Sequence, residues 1–246
     1  MKTNEVLENI KARCSVRAYT EQQVPEEDLR TILEAATYAP SGMHLETWHF
    51  TAIQNVSKLA ELNERIKGAF AKSDDVRLQE RARNKAYCCY YHAPTLVIVS
   101  NEPTQWWAGM DCACAIENMF LAAQSLGIGS CWINQLGTTC DDPGVREFIT
   151  ALGVPVSHKV YGCVALGYGD PKIPMKEKKV KADTVTIVIS RNHTFRFTLG
   201  LIFYVTKHKP WGNQCFSKAS VCLPPWLIEI SPRLKECEPR AYSKVS

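Results

Sequence analysis

Two guanidinium groups and a hydroxyl stand within five residues in Arg13-Cys14-Ser15-Val16-Arg17. Planar donors of that kind suit a phosphate or the carbonyl edge of a flavin. By itself, a loop with two arginines is ordinary solvated surface. A second group, Ala39-Pro40-Ser41-Gly42-Met43-His44, lies between a helix exit and a strand, so Ser41 and Gly42 can offer hydroxyl and backbone donors to a bound ring. Its bland reading is a Pro-Ser-Gly turn, with His44 a satisfied polar residue rather than a donor. A third, Gly127-Ile128-Gly129-Ser130-Cys131-Trp132-Ile133-Asn134, puts glycines at a helix end and carries Trp132 and Ile133 into a strand. A dinucleotide fingerprint needs glycines after a strand and before a helix, so this order excludes one. The fourth is Gly167-Tyr-Gly-Asp-Pro171, followed by Lys176, Lys178 and Lys179. In an extended segment Lys176 and Lys178 project to one side, where both can meet a phosphate; otherwise they form a solvated charge run.

Other conspicuous residues point away from metal or thiol chemistry. Cys88-Cys89 with His92, and Cys112-x-Cys114, lack the paired C-x₂₋₄-C turns of a zinc site. Cys112 and Cys114 fall on an expected helix, where side chains two apart diverge by about 200°. Buried inert thiols are the expectation, and no cysteine has the histidine context of an acylating nucleophile.

The elements that must position these groups follow from periodicity. Helices are expected over Thr3–Lys11 with a cap on Thr3, from Pro25 at the first helical position to the Pro40 turn, over Val56–Phe70, Asp111–Leu126 and Pro143–Leu152. Strands are expected over Trp48–Ile53, Thr95–Ser100, Gly129–Ile133, Lys159–Leu166 and Thr184–Ile189. Between Ala71 and Tyr91 the chain is charged, then aromatic, without a clean period, which suits a mobile lid. No regular short βα units join the strands, and the pattern favours an α+β fold over a doubly wound sheet.

The 246 residues carry 29 Lys+Arg against 25 Asp+Glu, but the excess is local. Residues 1–190 hold 20 basic against 22 acidic side chains, and residues 191–246 hold 9 against 3. The larger part therefore has no nucleic-acid footprint. Prolines at 210, 224, 225, 232 and 239 break every candidate element of the last segment, which is expected to be a poorly ordered accessory tail. Eleven scattered cysteines, and an opening with Glu5 and Glu8 where an export signal would be apolar, suggest free thiols in the cytoplasm. The apolar run Leu199–Val205 is too short to span a membrane.

Taken together, the order and spacing of the four groups over about residues 3–190 resemble the FMN-dependent nitroreductase family. The resemblance implies a central mixed β-sheet flanked by helices, in an intertwined homodimer with two FMN sites at the interface. It implies that Arg13, Cys14, Ser15 and Arg17 contact the FMN phosphate, ribityl chain and pyrimidine edge. Pro40, Ser41, Gly42, Met43 and His44 would reach the flavin of the partner subunit. Trp132, Ile133 and Asn134 would lie near the reactive face, largely through backbone, and Lys176 and Lys178 would hold the phosphate. His44, Glu46 and Thr47 stand where the family often has Asn, Gln and Pro, which bears on acceptor preference. The implied activity is ping-pong hydride transfer from NADH or NADPH to a small acceptor, with Arg17 stabilising negative charge at the flavin's N1–C2=O edge. Narrower flavin chemistry (reductive dehalogenation or flavin fragmentation) and a non-catalytic redox sensor are the alternatives.

Overall fold

The computed structural model describes residues 2–173, 184–190, 193–198 and 201–202. Two units are distinguished, Met1–Lys179 and Val180–Ser246.

In the first unit the apolar run at 95–100 becomes β2 (Thr95–Asn101), one residue longer than expected and buried along its whole length. It lies between β1 (His49–Ile53) and β4 (Lys159–Gly167), and β3 (Gly129–Ile133) pairs with the far side of β4, giving the order β1-β2-β4-β3. A mixed sheet was expected; these four strands pair antiparallel throughout. A parallel bridge joins Ser15 to Ser130. Periodicity identifies strands but not their direction, and long helical connections permit either.

Both faces of the sheet are covered, because side chains alternate along each strand. Leu96 and Ile98 of β2, with Cys163 and Ala165 of β4, meet Leu62, Ile66 and Phe70 of α3 (Val56–Ala71) and Phe148 and Ile149 of α7 (Pro143–Ala151). Val97, Val99, Val164 and Leu166 face the other way, onto Ile32 and Ala36 of α2 (Glu26–Thr37) and Ile116 and Met119 of α5 (Ala108–Ser125). The buried stripe of α5 is Ala108, Asp111, Cys112, Ala115, Ile116, Met119, Phe120 and Ala123, the three-and-four spacing of a helix face.

Several boundaries differ from expectation. Asn4, not Thr3, caps α1 (Glu5–Ala12), its side chain accepting the Leu7 N–H. Pro25 is the N-cap of α2 rather than its first helical residue, and β1 starts one residue after Trp48. The expected lid contains α4 (Val76–Arg83), started by the Asp75 carboxylate accepting the Arg77 N–H at 2.9 Å. This helix fully buries no residue; half-buried Leu78 and Ala82 are its contact with the core, too short a stripe to stand out among its charges. The aromatic stretch after it is clipped to α3: Asn63 donates to Tyr87 O and accepts from Cys89 N–H, each at 3.0 Å.

In the second unit β5 (Val185–Ser190) pairs antiparallel with β6 (His193–Thr198), and β6 with β7 (Leu201–Ile202). The strand expected to close the first domain near residue 190 thus forms its ladder with residues beyond that point. Among the described residues no helix is long and apolar enough to cross a membrane.

Candidate active site

The loop after α1 is drawn along the sheet edge by backbone hydrogen bonds at both ends of its path. Val16 N–H donates to Ser130 O at 2.9 Å, Thr20 N–H to Tyr168 O at 2.9 Å, and Asp170 N–H to Ala18 O at 3.0 Å. Tyr19 fixes its middle, its hydroxyl donating to Val16 O at 2.7 Å. Burial pushes the Tyr19 phenol far above its usual range, so it stays a donor. Gly129 makes the close approach possible: a Cβ there would lie 2.7 Å from Val16 Cγ2 and 3.1 Å from Gly167 O.

This strapping leaves a cleft of about 740 Å³ beside the C-terminal end of α5. Its walls include Ser15, Arg17, Gln124, Gly129, Gly169, Asp170 and Ile173. The volume is within the roughly 300–1,000 Å³ common for small-molecule and cofactor sites. An exposed guanidinium, an exposed hydroxyl and glycine backbone form a donor set for an anionic, carbonyl-bearing ligand.

Arg13 belongs to the same loop but is turned onto α5. Its guanidinium carbon is 5.6 Å from the Phe120 ring centroid, and its Nε is 4.0 Å from Glu117 Oε1. Cys14 is half-buried between Arg13 and Ser15. Phe120 also meets Trp132 edge to face, with centroids 6.4 Å apart. Trp132 is partly exposed and donates from Nε1 to Asn134 Oδ1 at 2.9 Å. Ile133 points into the core, so only its backbone is available to a ligand. Lys176 and Lys178 lie outside the described residues.

Pro40 to His44 form a separate group, at the other end of α5. Gly42 N–H donates to Asp111 Oδ1 at 3.0 Å, and the Trp107 indole covers Gly42 so closely that a Cβ would overlap the ring. Met43, His44 and Glu46 have φ of 55°, 53° and 48°, a left-handed backbone costing about 1–2 kcal/mol for each such residue. The Ser41 hydroxyl accepts Glu46 N–H at 3.3 Å and closes the turn. Met43 and His44 are exposed, as is Trp106, which meets Trp107 edge to face. Asp111 and Gln124 are 13 residues apart on one helix, hence about 20 Å apart. Within one chain the Ser41–His44 loop and the Ser15–Arg17 cleft do not converge.

Asp111 and Trp107 were not identified as site residues from sequence. The available signal was an acid at a position whose helical neighbours at three and four residues are Trp107, Ala108, Cys114 and Ala115. Gln124 and Asp170 gave no signal, since polar residues at an element's end are commonplace.

Residues 10–168 match the family model described as Nitroreductase family. Among solved structures, the chain is similar to a nitroreductase of Bacteroides fragilis with bound FMN, at 75% identity and a TM-score of 0.75, covering 76% of this chain and 100% of that one. It is 34% identical over 164 residues to a protein of Archaeoglobus fulgidus provisionally named NADH dehydrogenase/NAD(P)H nitroreductase, covering 67% of this chain and 85% of the relative. It is 26% identical over 184 residues to an iodotyrosine deiodinase of Thermotoga neapolitana, covering 71% of this chain and 95% of the relative.

Proposed function

The chain belongs to the nitroreductase family, and we propose that it is an FMN-dependent, NAD(P)H-oxidising reductase of small acceptors such as nitroaromatics or quinones. The observation that carries this reading is the cleft strapped between β3 and the exit of β4, with Ser15 and Arg17 on its wall. FMN, when bound there, supplies the hydride chemistry that no side chain of the protein can perform.

The protein's own residues bind, orient and polarise. Among the described residues of the cleft wall Arg17 is the exposed cation, and it holds negative charge at the ligand's carbonyl edge, an electrostatic role that requires no proton transfer. Ser15 offers a hydroxyl to the chain of the cofactor. Arg13, packed on Phe120, braces the loop from behind. Lys176 and Lys178 follow Ile173 by three and five residues, near enough along the chain to supply cations for the phosphate.

The second half of the site comes from a partner copy. The 20 Å separation along α5 supports this assignment, as do the apolar side chains a single chain leaves uncovered: Val6 and Ile10 of α1, Tyr38, Met43, Trp106 and Met110. In the homodimer Ser41 to His44 face the partner's flavin. Buried free thiols at Cys89, Cys112, Cys131, Cys140 and Cys163 fit a reducing cytoplasm. The segment beyond about residue 190 is accessory.

Anaerobic titration tests the activity. NADH or NADPH should bleach the visible absorbance of the purified protein, and nitrofurazone or a quinone should restore it. Absorbance that neither nicotinamide bleaches would overturn the proposed reaction. Similarity to the deiodinase favours reductive dehalogenation as a second reading, for which halide release from an iodinated phenol is the assay.

A further inference from the structure

The exposed loop Ser41–Glu46 is governed from beneath by one buried carboxylate. Asp111 lies in the first turn of α5, on the stripe that otherwise buries alanine, cysteine, isoleucine, methionine and phenylalanine. A carboxylate in such a place is costly unless it is hydrogen-bonded. Its bond is to Gly42 N–H, at 3.0 Å, and the positive end of the α5 dipole lies at the same turn. The Trp107 indole clamps Gly42, where a Cβ would collide with the ring. Directly after this clamped glycine come Met43 and His44, then Glu46, all left-handed and all exposed. Non-glycine residues persist in that conformation only where the surroundings impose it. The surroundings here are Asp111 and Trp107 acting on Gly42, together with the Ser41–Glu46 closure.

We propose that Asp111 is a positioning residue: through its hydrogen bond to Gly42 it sets the conformation in which Met43 and His44 meet the cofactor and acceptor. The proposal deepens the functional reading and rests on it, since the loop matters only if it covers the partner's FMN. Asp111 itself lies below the loop and does not touch the ligand. The oxygen that accepts from Gly42 is the feature required, so an amide oxygen can replace it. A role in which the negative charge mattered could not be rescued in that way.

The test uses the full-length protein loaded with FMN. Asp111→Ala should keep its FMN content and native mass but lose about tenfold in kcat/KM for nitrofurazone, the scale of an N–H left without its acceptor. It should also change the visible circular dichroism of the bound flavin. Asp111→Asn should return both quantities to within about threefold of the parent. Gly42→Ala, which forces Trp107 away while leaving Asp111 in place, should reproduce the alanine signature and decides the matter if Asp111→Ala does not fold. Two results overturn the positioning role: unchanged dichroism and kcat/KM in Asp111→Ala, or in Gly42→Ala where the former is unfolded; and an asparagine variant as impaired as the alanine one. The paired variants Met43→Ala and His44→Ala locate the failure. If they alter kcat/KM while Asp111→Ala does not, Asp111 alone is misassigned; if they too are silent, the loop does not face the flavin and the reading beneath the proposal falls with it.

Discussion

At the scale of single residues, the proposed site divides into groups that hold a ligand and groups that hold those in place. Arg17 is exposed in the cleft, whereas Arg13 is spent on Phe120 and Glu117. Arg17→Ala should therefore lower turnover per bound flavin more than it lowers flavin content, and Lys178→Ala should mainly lower content. Each loss should correspond to about 1.5–3 kcal/mol, that of one charged hydrogen bond. Equal loss of flavin in both, with normal turnover per remaining flavin, would show the division to be wrong. The cysteines make a different prediction. Burial pushes the Cys89 and Cys112 thiols up to about 12, and the fully buried Cys163 rises as well. Thiols so protonated are poor nucleophiles. Brief iodoacetamide treatment followed by peptide mapping should leave these three unmodified in the native protein and modified after denaturation. Rapid native labelling of Cys112 would contradict its burial. The arginine loop was legible because charge and hydroxyl were crowded into five residues. The different fate of its two arginines was not, since it depends on where Phe120 lies on α5.

At the scale of elements, the helices and strands with a strong apolar period were legible, although α5 starts at Ala108, three residues before the expected Asp111. The run that becomes β2 is buried on both faces, and the stripe of α5 is apolar but for Asp111. What escaped was α4, short, highly charged and anchored to the core only through half-buried Leu78 and Ala82, and the antiparallel direction of the sheet, which no local pattern encodes. The β1–β2–β4 edge also contains a pH-sensitive packing. His158 is buried, with Nδ1 3.2 Å from Ser100 Oγ and its ring edge-on to His49. Arg146 of α7 donates to its carbonyl at 3.0 Å. Burial lowers the His158 imidazole below its ordinary 6.5, His49 adding to the effect and Glu102 opposing it. The unfolded chain then binds the proton more readily than the native one, so stability is greatest above the unfolded value near 6.5 and falls as pH drops through it. Denaturant midpoints at pH 7.5 and 5.5 should differ more for the parent than for His158→Gln. Equal pH dependence in the two proteins would remove His158 from the account.

At the scale of the whole molecule, two features of the chain make separate demands. In the proposed site, the Ser15–Arg17 cleft and the Ser41–His44 loop lie at opposite ends of α5 and are brought together by a partner copy. Native mass measurement should give two chains of 27.7 kDa, and a flavin-loaded monomer would contradict the shared site. The basic, proline-interrupted end of the sequence makes the other demand. Since β5 forms its ladder with β6, a chain cut after residue 190 loses that hairpin, whereas one cut after residue 202 keeps its described strands. Both truncated chains should retain flavin and turnover if this region is accessory, and loss of flavin in the shorter one alone would assign β5 and β6 to the fold. Everything rests on the cofactor, and its release is the most direct measurement. Denatured protein should yield a phosphorylated flavin, identified as FMN, at about one per chain. Colourless protein that cannot be reconstituted by added FMN would contradict the account at its centre.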